Sequence, residues 1–120
     1  MSGPVPSQLV LLGDLPHCTP GTKVRFLGCV DEYVVKTANL RLRHDFHASG
    51  APAIANVNVE HVLERLKHDQ VDVGCWLNVM GYIERRSEAG IFVQAMAIWS
   101  AGNIDLEAYT NVVKKRQLVG

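Results

Sequence analysis

The segment from Cys75 to Ser100, CWLNVMGYIERRSEAGIFVQAMAIWS, restricts the fold more than any other part of the chain. It reads as two apolar runs, Cys75 to Ile83 and Ile91 to Trp99, joined by a polar loop, Glu84 to Gly90, that carries four charges and a glycine. This pattern predicts a β-hairpin whose connection is longer than a two-residue turn. Neither run alternates cleanly. In the second, Ile91, Val93, Ala95, Ala97 and Trp99 share one face, and Phe92, Met96 and Ile98 occupy the other. A half-buried strand would place polar residues on its second face. Both faces of the hairpin therefore need cover, and only one can be covered by the chain's own core.

A chain of 120 residues has room for one substantial core and not for two, so that cover must come from the residues upstream. Lys23 to Val35 (KVRFLGCVDEYVV) is a long strand, with Val24, Phe26, Gly28 and Val30 on one face and Gly28 suited to a bend or bulge. Asn39 to His44 alternates properly, with Leu40 and Leu42 inward and Arg41 and Arg43 outward. Asp45 to Gly50 is a turn region, and Ala53 to Val59 is a third, shorter strand. The period then changes. Val59, Val62, Leu63 and Leu66 fall at helical spacing, with Asn58 placed as N-cap and Glu60 in the first turn, which predicts a helix of about ten residues before Gly74. The hairpin follows. Beyond the break at Ala101-Gly102-Asn103, Asn103 can cap a final helix from Ile104 to about Leu118, with apolar Ile104, Leu106, Tyr109, Val112 and Val113. Its last turns hold Lys114, Lys115 and Arg116, where the helix dipole favours cations. At the other end, the arm before the first strand holds Pro4, Pro6, Pro16 and Pro20, and its apolar piece Leu9 to Leu12 is expected to pack on the domain.

Three strands, a helix, two strands and an appended helix describe an all-β chain with helices, a single five-stranded OB-fold barrel with its helix between strands three and four. The expected divisions are an N-terminal arm (1–22), the barrel (23–100) and a C-terminal helix (103–118) of the same domain. Twelve basic residues balance twelve acidic ones, so composition lends no support to a protein that lives on phosphate contacts alone. Three cysteines without a secretory signal predict reduced thiols in the cytosol or nucleus, and no apolar run approaches the roughly 20 residues of a membrane helix. His44-x-x-His47, even with Asp45 beside it, lacks the partners for a tetrahedral metal set, and Cys18 beside His17 sits in a proline-rich arm without the geometry of a thiolate–imidazole pair. Cys29 and Cys75 read as small apolar packing residues. With no glycine-rich phosphate loop and no useful carboxylate pair, the reading is a protein without catalytic residues, metal or cofactor.

Several stretches also resemble a known family. Pro6-Ser7-Gln8-Leu9-Val10 with Asp14-Leu15-Pro16, Gly21 to Cys29 (GTKVRFLGC), Val73-Gly74 through Gly81-Tyr82-Ile83, and Val93-Gln94-Ala95 through Trp99-Ser100-Ala101-Gly102 carry the likeness. In this succession the chain resembles the smallest OB-fold subunit of the trimeric CST telomere-capping complex, the Ten-one family, in its filamentous-fungal form. The resemblance implies a nuclear, telomeric protein that heterodimerises with the larger OB-fold Stn subunit, as the small and middle subunits of replication protein A pair. It further implies association with the largest CST subunit, and a role in chromosome-end capping and in C-strand fill-in with DNA polymerase alpha–primase.

Carried onto this chain, the partner surface is expected on the helix face of Leu106, Tyr109, Val112, Val113 and Arg116, with neighbouring outer-face hairpin residues such as Trp76, Met80, Phe92, Met96 and Ile98. A helix that follows a completed barrel has no further core to fill, so its apolar stripe needs another surface or merely plugs one barrel end. For single-stranded DNA, bound weakly or through the complex, the candidates are Arg25, Lys36, Arg41 and Arg43, with Tyr33 and Phe46 near in sequence. Outward arginines also suit a plain solvated face. The competing reading is a self-sufficient single-stranded nucleic-acid-binding OB domain.

Overall fold

The computed structural model describes residues 6–44, 53–67, 71–87 and 90–119. Six strands form one sheet: β1 (Gln8–Leu9), β2 (Lys23–Val34), β3 (Asn39–Arg43), β4 (Ile54–Asn58), β5 (Trp76–Ser87) and β6 (Gly90–Ser100). Their order is β1-β2-β3-β4-β6-β5, and the further pairing of β2 with β5 closes the last five into a barrel, the OB arrangement. A helix, α1 (Leu106–Val119), follows. The short β1 runs parallel to β2, with Gln8 beside Val24.

Alternation fills the interior. Val24, Phe26 and Val30 from β2, Leu40 and Leu42 from β3, and Leu77, Val79 and Ile83 from β5 are all buried in one cluster. The arm completes it: Val10 is buried, and Leu12 and Leu15, on a 3-10 helix at Leu12–His17, are fully enclosed. Gly28 leaves room for this. A Cβ there would stand 2.8 Å from the Leu42 Cβ and 3.1 Å from a Leu12 methyl.

The structure departs from the sequence expectation at the ends and the kinks of its elements. The bulge expected near Gly28 falls instead between Val30 and Glu32, so that Asp31 is the extra residue opposite β3. The helix between strands three and four is a 3-10 helix, Glu60–Arg65, whose N-cap is Val59 and not the expected Asn58; the Asn58 side chain, one residue earlier, accepts from the Glu60 N–H at 3.0 Å. Only Val62 of this segment is buried, too little apolar contact to hold a longer α-helix. The hairpin ladder continues to Ser87 opposite Gly90, leaving residues 88 and 89 as the connection, outside the described residues and shorter than expected. The final helix begins at Leu106, with Asp105 rather than Asn103 as its cap, because the Asp105 carboxylate accepts from the Ala108 N–H at 3.0 Å.

The mixed polarity of the hairpin also resolves. Ladder pairs jump from Met80–Ala97 to Gly81–Ala95, so Met96 is a bulged residue and the inward phase of β6 changes there. Ile91, Val93 and Ala95 are buried, Ile98 packs against the core, and Met96 and Trp99 are exposed. Trp99 therefore does not share a face with Ile91, Val93 and Ala95. Gly81 makes the crossing possible: a Cβ there would lie 2.1 Å from the Gln94 carbonyl oxygen.

Candidate functional site

Two separate outer surfaces carry the residues selected from sequence. The first lies under and beside α1. Arg25 points outward from β2 and lines an open cleft of about 900 Å³ with Pro6, Ser7, Gln8 and Leu9 of the arm and Arg116 and Gln117 of the helix. The Gln117 amide donates to the Asp14 carboxylate at 2.9 Å, and the same carboxylate oxygen accepts from the Leu11 N–H at 3.1 Å, tying the helix to the arm. Leu27, two residues from Arg25 on the same outward side of β2, is fully buried, and so is Val113; neither belongs to the barrel core.

The stripe Leu106, Tyr109 and Val113 is thus the inward side of the helix, half-buried at the first two and fully buried at the third. Val112 points the other way and is 54% exposed. The Tyr109 hydroxyl is buried without a hydrogen-bond partner among the described residues, as is the Thr110 hydroxyl. Burial pushes the Tyr109 hydroxyl up from its ordinary range, and the positive charge of Arg25 draws it part of the way back. Arg25 therefore sits with Tyr109 and Arg116, away from the other arginines named from sequence.

The surface continues from the helix onto the hairpin wall. Met80 is the β5 neighbour of Arg25 and the partner of Ala97 on β6, and Asn78 is the neighbour of Leu27 and the partner of Trp99. Met96 and Trp99 are 43% and 39% exposed, large apolar side chains on an outer wall beside a helix. Trp76, the next outward residue of β5 before Asn78, is held edge-on by the buried His44 ring at 5.1 Å.

The second surface crosses β3, β4 and β6. Arg41 is opposite Asn56, Asn56 is beside Phe92, and Phe92 is opposite Arg85 on the far strand. The Arg85 guanidinium lies 3.9 Å above the centre of the Phe92 ring. Arg41 stands 3.9 Å from Glu32, both exposed, and Arg43, exposed, 3.7 Å from the half-buried Asp31. The bulge at Asp31 is what brings two consecutive carboxylates beside two arginines two residues apart. Lys36 is exposed on the 3-10 turn that links β2 to β3. Phe92, expected from sequence on the partner side with Met80 and Met96, lies instead in this row, because barrel closure sets it beside Asn56; Asn56 and Arg85 were missed by sequence reasoning. Phe46, an aromatic expected near the arginines, and His47 and Asp45 of the histidine pair lie outside the described residues.

Among the described residues no cluster of three or more His, Cys, Asp or Glu could hold a metal ion. The Cys18 thiol is pushed up by burial and by the nearby Asp14 carboxylate, opposite to what a nucleophile needs.

Comparisons with known proteins agree over nearly the whole chain. The Ten1 family, described as a telomere-capping, CST complex subunit, matches residues 1–114. Protein ten1 of Schizosaccharomyces pombe is 33% identical over 114 residues, covering 92% of this chain and 94% of its own. A chain in the crystal structure of the S. pombe Stn1–Ten1 complex superposes with a TM-score of 0.76 at 30% identity, covering 98% of each chain. A chain of U. maydis Replication protein A bound to single-stranded DNA matches at a TM-score of 0.62 and 19% identity over 91% of this chain and 87% of its own, a likeness of fold alone.

Proposed function

The chain belongs to the Ten1 family of telomere-capping CST complex subunits, and we propose that it is a non-catalytic nuclear protein that pairs with the larger OB-fold Stn subunit at chromosome ends. The pair supports binding of single-stranded telomeric DNA, capping with the largest CST subunit, and C-strand fill-in by DNA polymerase alpha–primase. The S. pombe relative assembles with Stn1, and its chain superposes over the full length of this one.

The observation that carries the reading is the continuity of one outer surface: the cleft of Arg25 and Arg116, and the wall of Met80, Met96 and Trp99. Apolar anchors beside a cationic cleft suit a partner that offers an apolar helix and a carboxylate. Val112 completes the outer side of the helix. Val113 and Leu106 act indirectly, by holding α1 against its own barrel. Arg41, Arg43 and Lys36 form the DNA side, and Arg25 belongs with the partner side.

Co-purification of the full chain with the Stn subunit tests this division. Val112→Asp combined with Trp99→Ala abolishes pairing without unfolding the chain, whereas Arg41→Glu with Arg43→Glu leaves pairing intact. Pairing that survives the first variant and fails in the second would invert the assignment.

A further inference from the structure

We propose that Phe92 is a stacking seat for one unpaired nucleobase of single-stranded nucleic acid, with Arg85 as the movable group that occupies the ring until a base replaces or sandwiches against it. This rests on the nucleic-acid part of the function above and assigns it a place on the barrel. Phe92 is half-exposed on the outer face of β6, between buried Ile91 and Val93, so its ring is not a core residue. The guanidinium 3.9 Å over its centre covers the ring face that a base would use. A planar cation on an aromatic ring is geometrically equivalent to a stacked base, and the same guanidinium can turn to a phosphate once displaced.

The surrounding row supplies the rest of the chemistry. Arg41 lies two strands from Phe92 across Asn56, a separation of about 10 Å between backbones. Its contact with Glu32 and that of Arg43 with Asp31 are long and at least partly exposed, so a phosphate displaces either carboxylate at little cost. Glu84 is the bulged residue preceding Arg85 on the same strand. An acidic peptide would match the arginines but does not bring an aromatic ring with each charge to exchange with the guanidinium on Phe92. Single-stranded nucleic acid uses the cations and the ring together.

Fluorescence anisotropy of a fluorescein-labelled single-stranded DNA of mixed sequence, titrated with the full chain over a salt series, tests the proposal. Phe92→Ala and Phe92→Leu each weaken binding about tenfold, the loss expected for one stacked base, while Phe92→Trp retains wild-type affinity. The salt slope stays unchanged in these variants, because no phosphate contact is lost, and falls in Arg41→Glu with Arg43→Glu. Phe92→Leu keeps apolar volume, so a fold defect specific to Phe92→Ala does not decide the outcome. Wild-type affinity in Phe92→Leu together with weakened binding in the arginine variant overturns the seat and leaves nucleic-acid binding standing. Absence of any salt-dependent binding by the wild-type chain overturns both.

Discussion

Replacing Tyr109 by phenylalanine separates what this residue does for its own chain from what it does for a partner. In the free chain the hydroxyl is enclosed and has no hydrogen-bond partner among the described residues. Burying an unpaired hydroxyl costs about 1–3 kcal/mol, and the substitution removes that group while leaving the ring in place. Tyr109→Phe is therefore expected to stabilise the free chain by about 1 kcal/mol, raising the calorimetric midpoint by about 4 °C for a domain of this size. In the heterodimer no loss is expected. The hydroxyl lies on the side of α1 that rests on the chain's own barrel and is closed to solvent, so the variant should bind the Stn subunit with unchanged affinity by titration calorimetry. Weaker pairing in the variant would show that docking opens this side of the helix to the partner. Destabilisation of the free chain would refute the claim that it is unpaired there.

Other outcomes follow from single residues. Gly81→Ala places a Cβ 2.1 Å from a backbone oxygen that cannot swing away, so it should lower stability by about 3 kcal/mol or more, read from the urea midpoint. Glu32→Gln, which releases Arg41 from its exposed partner, should raise affinity for single-stranded DNA about twofold, with no change in pairing. The raised Tyr109 pKa favours the protonated hydroxyl in the folded chain, so its contribution is complete below the unfolded tyrosine value of about 10 and is lost as pH rises through the folded one. Thermal unfolding above pH ~10 should accordingly decline less steeply in Tyr109→Phe than in the wild type.

The strands and their order were legible because alternation and the glycine breaks act locally. Leu40 and Leu42 face inward, and Arg41 and Arg43 outward, as spacing alone requires. The phase of β6 was not legible, since one bulged residue, Met96, moves Trp99 to the outer face and Ile98 towards the core. Nothing in the residues around Met96 signals that extra position; the cause is the close approach of Gly81 on the neighbouring strand. The helix stripe illustrates the same limit. Apolar spacing puts Val112 on one face with Leu106, Tyr109 and Val113, whereas in the fold those three rest on the chain's own barrel and Val112 is left to solvent. Arg25 and Arg41 look alike as outward arginines on strands, and only closure of the barrel puts one beside Tyr109 and the other in the row of Phe92.

Hydroxyl-radical footprinting with mass spectrometry, on the free chain and on its complex with the Stn subunit, reads the partner surface directly. A partner seated on the helix and hairpin wall predicts strong protection of Met80, Met96 and Trp99 in the complex, with Phe92 oxidised as readily as in the free chain. Equal oxidation of Met96 and Trp99 in both states, with protection confined to the row of Phe92, would contradict it.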